Sequence, residues 1–399
     1  MITRLAEPGG PDLRARAHVH DLPSIERELA RIWSAVRLTT TIDGVEERRV
    51  AARTSVLNLV VIAARPEAGE RCADVIGRLT GRHPSRSLIL MQSDPDGPSW
   101  LDADIQAHCM LPRAGSAEAC SERIYLKAGG EAGRHLAALV APLLIHDLPV
   151  TVWWPGDVPF GSDPARRLLR LADRLVVDGS SWSGDGIEPL RALASLIDRP
   201  DLLVSDFALI RQSRWREAIA STFDLPELQP LLRSVGRIAI GYAAGPAGSS
   251  AAVNVVKPLY HVGWIASRLG LAVDRPLEPA SFGGYAGILR QGRRRTAVEL
   301  RPEASDLAGG TTLRVELEAA RRATKLRVVV TAGASSVTVD TWRNGEAFRH
   351  RAFPAPRRTE VDMLAEVIES VGQNRLADEA IRTAASLVAS RGRSRPVDE

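Results

Sequence analysis

The sequence VLNLVVIA at Val56–Ala63 begins the region, residues 56–91, that indicates the fold most clearly. Eight residues with a single polar member are typical of a strand that is buried on both faces. The next segment has the composition of a helix ending near Gly81, and SLILM at Ser87–Met91 returns to the buried-strand pattern. Strand, helix and strand in this order predict a βαβ unit with parallel strands.

The same alternation of strands and helices continues as far as Val204. Near the N-terminus, Ser24 is placed to cap a helix. The expected elements are strand Ser121–Lys127, a helix with Leu136, Leu139, Val140, Leu143 and Leu144 on one face, strand Val150–Trp154, helix Asp163–Leu171, strand Arg174–Val177, helix Glu188–Ile197 and strand Leu202–Val204. Regular alternation of this kind predicts a Rossmann-like, mostly parallel sheet of the α/β class.

The pattern changes from about Asp224. A strand is expected at Arg237–Tyr242 and a helix at Ala251–Leu269, and the residues that follow alternate between apolar and polar with a period of two. Asn344-Gly345 is typical of a two-residue hairpin turn. Thr359 and Asp362 have the spacing of a capping box at the start of a further helix. This half predicts an α+β domain with an antiparallel sheet and C-terminal helices.

Four segments are therefore expected. They are an N-terminal leader and helix at 1–50, the Rossmann-like domain at 51–224, the α+β domain at 225–390 and a flexible tail at 391–399.

Composition excludes several classes of protein. The formal net charge of the 399 residues is only +4, which does not favour nucleic-acid binding, and no apolar run has the length of a membrane span. Arginine supplies 49 of the 52 basic residues. The three cysteines fit no zinc spacing, and their odd number is poor material for a disulfide framework. A cytoplasmic protein that binds neither membrane nor nucleic acid is expected.

The motifs of catalysis and of cofactor binding are missing from the sequence. There is no G-x-G-x-x-G between a strand and a helix, and no G-x-x-x-x-G-K-[ST]. Gly179–Gly184 lacks the spacing of a nucleophile elbow. We therefore expect no catalytic residue, no metal site and no cofactor, and the chain is not expected to be an enzyme.

The strand Val150–Trp154 delivers Trp153 and Trp154 to a Pro-Gly turn. Neighbours on a strand point to opposite faces, so one indole is expected to pack inward while the other faces a cleft or a partner. Tryptophan is enriched where proteins meet. This segment therefore predicts recognition of another protein.

Two loops leave a second interpretation open. Arg82–Arg86 contains two arginines and a histidine that suit a phosphate or an acidic surface, although its arginines could equally pair with carboxylates of the chain itself. Gly241–Ser250 lies between an expected strand and an expected helix, where an anion could bind or where the chain is simply a flexible connection. The alternative function is a sugar-phosphate- or nucleotide-binding enzyme or sensor.

Several segments together resemble one family, the OpcA-type glucose-6-phosphate dehydrogenase assembly proteins. The matching segments, spread in order over residues 50–275, are His83–Arg86, Leu148–Val150, Trp153–Gly156, Asp173–Asp178, Asp206-Phe207, Trp215-Arg216, Phe223-Asp224 and Gly263–Gly270.

The resemblance implies a non-catalytic assembly factor and allosteric activator, which binds glucose-6-phosphate dehydrogenase and promotes its active oligomer in the oxidative pentose phosphate pathway. The candidate partner-binding residues are Arg82, His83, Arg86, Trp153, Trp154, Trp182, Arg211 and Trp215. Some photosynthetic members are regulated by thiol redox state. Because Cys120 is the last cysteine of this chain, that property is not carried over.

Overall fold

The computed structural model describes residues 12–35, 37–42, 45–50, 54–94, 96–110, 119–245 and 252–388. The strands are β1 (Asp12–Val19), β2 (Arg37–Ile42), β3 (Val45–Val50), β4 (Leu57–Ala63), β5 (Ser85–Gln92), β6 (Trp100–Met110), β7 (Ala119–Gly129), β8 (Val150–Trp154), β9 (Arg174–Val177), β10 (Leu203–Asp206), β11 (Val235–Ala243), β12 (Ala272–Pro279), β13 (Tyr285–Gln291), β14 (Arg294–Glu303), β15 (Thr312–Arg321), β16 (Thr324–Ala332), β17 (Ser336–Arg343) and β18 (Glu346–Pro354).

The helices are α1 (Leu22–Ala35), α2 (Pro66–Leu79), α3 (Gly130–Arg134), α4 (Leu136–Val140), α5 (Asp163–Leu169), α6 (Ile187–Leu196), α7 (Phe207–Ile210), α8 (Ser213–Thr222), α9 (Gln229–Leu232), α10 (Val256–Leu269), α11 (Glu360–Glu369) and α12 (Arg375–Ser386). None of these helices within the described ranges is long and apolar enough to cross a membrane.

The chain divides into two compact units, each built from several segments. The first comprises Met1–Asp178, Pro200–Ser205 and Thr359–Gly372, and the second comprises Gly179–Arg199, Asp206–Arg358 and Gln373–Glu399. This division differs from the contiguous segments expected from sequence. Helix α11 packs against α2 within the first unit, a long-range contact that local patterns do not reveal.

The first unit contains an eight-stranded sheet in the order β1-β6-β7-β5-β4-β8-β9-β10. Pairs β7-β5, β5-β4, β4-β8 and β8-β9 are parallel, whereas β6 pairs antiparallel with both β7 and β1. If the antiparallel strand β6 is left out and β4 is counted as strand 1, the part of the sheet that reads β7-β5-β4-β8-β9-β10 has the order 3-2-1-4-5-6 of a Rossmann sheet. The expected mostly parallel sheet is confirmed. Strands β1 and β6 form an edge that the sequence analysis missed.

The central strands of this sheet are buried without alternation. Every residue of β4 and of β8 is buried, including Trp153 and Trp154 at 0% and 4% exposure. The expectation that one of the two indoles faces outward is wrong for this chain. Period-two alternation exposes a side chain only where one face of the sheet meets solvent, and here both faces are inside.

The second unit contains an eight-stranded sheet in the order β12-β13-β14-β11-β15-β16-β17-β18. Neighbouring strands of this sheet pair antiparallel, except β11 and β14, which run parallel. The expected α+β architecture is confirmed. Asn344 and Gly345 both have positive φ in the turn between β17 and β18. Thr359 and Asp362 form the expected capping box at the start of α11.

Helix α10 begins at Val256 rather than Ala251. The Val255 N–H donates to the Asp185 carbonyl, and the Asn254 side chain donates to two other carbonyls, which holds these residues outside the helix.

The structure explains why glycine stands at both ends of the Gly263–Gly270 segment. A Cβ on Gly263 would lie 2.4 Å from the Ala380 carbonyl oxygen of α12, and Gly270 ends α10 with φ +62°.

Two cysteines form a disulfide, contrary to the sequence expectation. Cys109 and Cys120 face each other on β6 and β7, and both are buried beside Trp33. Spacing along the chain could not reveal this pair, because their proximity depends on the β6–β7 register. Cys72 is free and buried, and burial raises the pKa of its thiol to about 12.

Candidate functional site

The turn between β4 and α2 occupies the position at which a Rossmann sheet binds a dinucleotide. In that fold G-x-G-x-x-G begins directly after the first strand. Here the same six positions read Ala64-Arg65-Pro66-Glu67-Ala68-Gly69, with α2 beginning at Pro66. Only the third glycine remains. A Cβ on Gly69 would lie 3.2 Å from the Met91 sulfur, so Gly69 retains its role in the close packing of helix and strand.

The residues of this turn do not fit a dinucleotide. Pro66 has no N–H to donate to a pyrophosphate, and its ring stands where the second glycine would let the phosphates approach the backbone. At the end of β5, where an acidic residue would bind a ribose, Gln92 donates its side-chain amide to the Gly133 carbonyl. The unit therefore has the Rossmann strand order without the groups that hold a nicotinamide dinucleotide.

The Arg82–Arg86 loop is bound to the chain itself. The Arg82 guanidinium lies 2.5 Å from Glu369 Oε1, and His83 Nε2 lies 2.8 Å from the same oxygen. Arg82 nevertheless keeps 65% of its side chain exposed beside a shallow cavity of about 530 Å³, whereas the His83 ring is 13% exposed. The contacts correspond to the simpler of the two interpretations left open by the sequence, in which the loop pairs with a carboxylate of the chain.

Arg86 is an interior residue. Its guanidinium donates to Glu122 Oε2 and to Glu26 Oε1, each at 2.6 Å, and to the Leu143 carbonyl at 2.7 Å. Trp33 donates its indole N–H to the other Glu122 oxygen. Burial raises the pKa of Glu122 despite these partners. Arg86 is 2% exposed, so it holds the sheet together and offers nothing to a surface of the isolated chain.

Three of the four candidate tryptophans, namely Trp153, Trp154 and Trp182, are also interior. Trp153 pairs in register with Val61 of β4 and Val176 of β9, and Trp154 pairs with Val177. Trp182 is 3% exposed, and its carbonyl accepts a hydrogen bond from Asn254. Their large apolar area stabilises the fold, and none of the three forms an exposed anchor.

Arg211 and Trp215 both belong to the second unit and remain partly exposed. Arg211 follows α7 and donates to Ser180 Oγ at 3.3 Å, with its guanidinium carbon 6.0 Å from the centre of the Phe207 ring. Trp215 lies four residues later in α8, and its indole packs 5.1 Å from the ring of His261. A half-buried indole and a partly exposed arginine are the residue types that commonly anchor a protein partner.

Asp206 is a buried acid that the sequence analysis gave no role. Its Oδ1 accepts from the Gly179 and Ala208 N–H groups at 2.9 and 2.7 Å, and the Tyr260 hydroxyl donates to its other oxygen at 2.5 Å. The acid begins α7 and connects it to α10. The Asp206-Phe207 segment thus has a structural explanation, and an N-capping pattern was the sequence signal available for it.

The Gly241–Ser250 segment is only partly described, because residues 246–251 lie outside the described ranges. Gly241 and Tyr242 belong to β11, and Gly245 has φ +83°. The described part is strand and turn, so both interpretations of this segment, an anion site and a flexible connection, stay predictions.

One face of the second sheet carries a network of ion pairs between arginines and glutamates. Arg237 donates to Glu299 and Glu318 at 2.8 and 2.9 Å, and Arg327 donates to Glu316 at 2.7 Å. Burial opposes ionisation of Glu299 and Glu316, but the arginine hydrogen bonds more than offset it and the pKa of each carboxyl is lowered. This face includes a cavity of about 880 Å³ whose lining contains Trp342.

Strand order and the altered turn define a class of protein, the Rossmann-type α/β proteins without the dinucleotide-binding glycines. Two family models then match the chain. One is described as the N-terminal domain of the glucose-6-phosphate dehydrogenase subunit, and it matches residues 76–196. The other is described as the C-terminal domain of the same protein, and it matches residues 203–381. The chain belongs to this family, the OpcA family, and the resemblance found in the sequence is confirmed.

Two curated relatives carry the name OxPP cycle protein OpcA. The protein of Synechocystis sp. is 27% identical over 60% of this chain and 47% of its own length. The protein of Synechococcus elongatus is 29% identical over 44% of this chain and 37% of its own length. The matched region thus spans about half the length of these relatives or less.

Among solved structures, an oxidoreductase of Bacillus subtilis, YvaA, aligns over 83% of this chain and 95% of its own, with a TM-score of 0.47 and 8% identity. This likeness says nothing about activity.

Proposed function

We propose that this chain is a non-catalytic partner of a glucose-6-phosphate dehydrogenase, which it binds in the cytoplasm to promote the active oligomer. The observation that carries the proposal is the pair of family models over residues 76–196 and 203–381, both described as domains of a glucose-6-phosphate dehydrogenase subunit. The shared OxPP cycle name of the two relatives supports the same pathway.

The geometry of the first unit supports a partner rather than a dehydrogenase. A dehydrogenase of the Rossmann type binds its nicotinamide dinucleotide at this turn, where Pro66 replaces the second glycine of the motif, and Gln92 stands where an NAD-binding sheet places an acid. The proposal therefore assigns the redox chemistry to the dehydrogenase. This chain contributes binding energy.

Binding energy alone can activate an oligomeric enzyme. The chain binds the active quaternary form more tightly than the inactive form, and this differential affinity shifts the population toward the active form. Contacts are assigned to the partly exposed members of the candidate set, namely Arg82 and His83 on the first unit and Arg211 and Trp215 on the second. Arg86, Trp153, Trp154 and Trp182 contribute indirectly, by keeping the fold rigid.

The test combines the full-length chain with the purified cognate dehydrogenase and measures the mass of the mixture by light scattering. The wild-type chain is expected to form a complex and to increase the fraction of the larger dehydrogenase oligomer. Arg211→Ala and Trp215→Ala are expected to weaken the complex by about tenfold or more, as hot-spot residues do.

Arg214→Ala is the matched control, because Arg214 is an exposed arginine on another side of α8 that pairs with Glu217. Loss of the complex with Arg214→Ala, or unchanged binding with Arg211→Ala and Trp215→Ala, would remove the contact assignment. The absence of any complex with the wild-type chain would remove the proposed function itself.

A further inference from the structure

The edge of the first sheet brings together two histidines and an aspartate. His18 lies near the end of β1, and His20 is the first residue after that strand; both side chains reach Asp102 of β6. The register pairs His18 with Asp104 and Val19 with Ala103 on β6, which brings His20 level with Asp102. Three side chains capable of binding a metal thus come from two adjacent strands.

The distances among the three side chains are short. His18 Nε2 lies 2.9 Å from Asp102 Oδ1, and His20 Nδ1 lies 3.2 Å from the same oxygen. The two imidazole rings are 4.9 Å apart and almost perpendicular, and one ligand atom from each of the three residues lies within 4.8 Å of the others. Two ligand atoms about 2.0–2.1 Å from a tetrahedral zinc ion are about 3.4 Å apart, so small movements would accommodate an ion.

The neighbouring charges leave Asp102 available. Arg16, two residues before His18, pairs with Asp104 instead, and Asp104 also accepts a hydrogen bond from Gln106. Within the described residues, the ion pairs of Asp102 are those with the two histidines. Lys127 is level with Asp102 on β7 and is exposed.

We propose that His18, His20 and Asp102 form a binding site for Zn²⁺ or a similar first-row divalent ion. Two imidazole nitrogens and one carboxylate oxygen are a ligand set that zinc accepts, and the partial exposure of all three residues leaves a fourth position for water or an external ligand. A bound ion connects β1 to β6 and stabilises the outermost strand of the sheet. The site goes beyond the proposed function and does not depend on it.

The test uses the full-length chain after treatment with a chelator and measures binding of ZnSO₄ by calorimetry. One ion per chain is expected. His18→Gln, His20→Gln and Asp102→Asn are each expected to weaken binding by about tenfold or more, since a three-ligand site becomes a two-ligand site. Thermal unfolding is a second measurement, in which Zn²⁺ should raise the melting temperature of the wild type but not that of Asp102→Asn.

His350→Gln is the matched control. His350 Nδ1 lies 2.7 Å from Asp340 Oδ1, so this exposed pair has the same chemistry without a second histidine, and its loss should leave zinc affinity unchanged. Circular dichroism of the apo variants establishes that each one is folded. The proposal is wrong if the wild type shows no saturable binding, or if the three variants bind zinc as the wild type does.

Discussion

The two sheets of this protein use the same strand geometry with opposite patterns of burial. In the first sheet, five consecutive residues of β8 are buried. In the second sheet, Thr296, Val298 and Leu300 of β14 are buried, while their neighbours are exposed or half-exposed. The central strands β4 and β8 of the first sheet are buried on both faces, whereas the second sheet has one apolar face and one face of paired arginines and glutamates. Hence an aromatic or charged residue has a different role in each sheet.

The largest expected difference is between two tryptophan substitutions, one in each sheet. Trp154→Ala removes a side chain that is 4% exposed and should lower the free energy of unfolding by about 3–5 kcal/mol. Trp342→Ala removes a half-exposed indole under Arg327 in the second sheet and should cost about 1 kcal/mol. Urea unfolding followed by circular dichroism measures both. Equal losses would contradict the distinction between the two sheets.

The next largest difference in stability is expected between two arginine substitutions, one in each sheet. Arg86→Met leaves Glu122 buried without its main counter-charge and should cost about 3 kcal/mol. The loss should be smaller at about pH 5 than at about pH 8, because the Glu122 pKa is already raised and the variant takes up a proton there.

Arg237→Met serves as the control in the second sheet. Its three glutamates are partly solvated or have other arginine partners, so a cost of about 1 kcal/mol or less is expected. If Arg237→Met lowers the free energy of unfolding as much as Arg86→Met does, the ion pairs of the charged face are as important for stability as the buried pair.

A buried histidine refines the comparison within the second unit, where α10 packs against β11. His261 is fully buried, both ring nitrogens lack a hydrogen-bond partner among the described residues, and burial lowers its pKa to about 3. The unfolded chain binds a proton at this residue below about pH 6.5 and the folded chain does not. Stability is therefore lost as the pH falls from about 6.5 toward 3, by up to about 1.4 kcal/mol per pH unit.

His261→Leu should abolish this loss, so the stability gained over the wild type should increase as the pH falls. Denaturant unfolding between about pH 7 and pH 4 measures the wild type and the variant. Parallel curves for wild type and His261→Leu would contradict the burial argument.

Local patterns in the sequence predicted the architecture better than the environment of single residues. The buried-strand pattern of Val56–Ala63 and the capping box at Thr359 depend on neighbouring residues, and both were found where expected. The exposure of Trp154, the Cys109–Cys120 bond and the pairing of Arg86 with Glu122 depend on partners from distant strands. Period-two reasoning failed at Trp154 because it assumes a solvated face.

The candidate partner site was partly accessible to sequence reasoning. Residue type drew attention to Arg82 and Arg211, which are partly exposed, but equally to Arg86, which is not. The His18–His20–Asp102 cluster was missed because neither β1 nor β6 was recognised as a strand, although the alternate polar positions of β6 are typical of a half-buried strand. Without the β1–β6 register, nothing in the sequence connects His18 with Asp102.

In the proposed function the chain activates a dehydrogenase, although its own Rossmann turn lacks the first two glycines that bind a dinucleotide. The most direct measurement is a titration of the purified cognate glucose-6-phosphate dehydrogenase with the full-length chain, following the steady-state rate over a range of substrate concentrations. We expect a saturable rise in kcat/KM that levels off at a fixed stoichiometry, with no dehydrogenase activity from the chain alone. Unchanged kcat and KM at a saturating concentration of the chain would show that it is not an activator of the dehydrogenase.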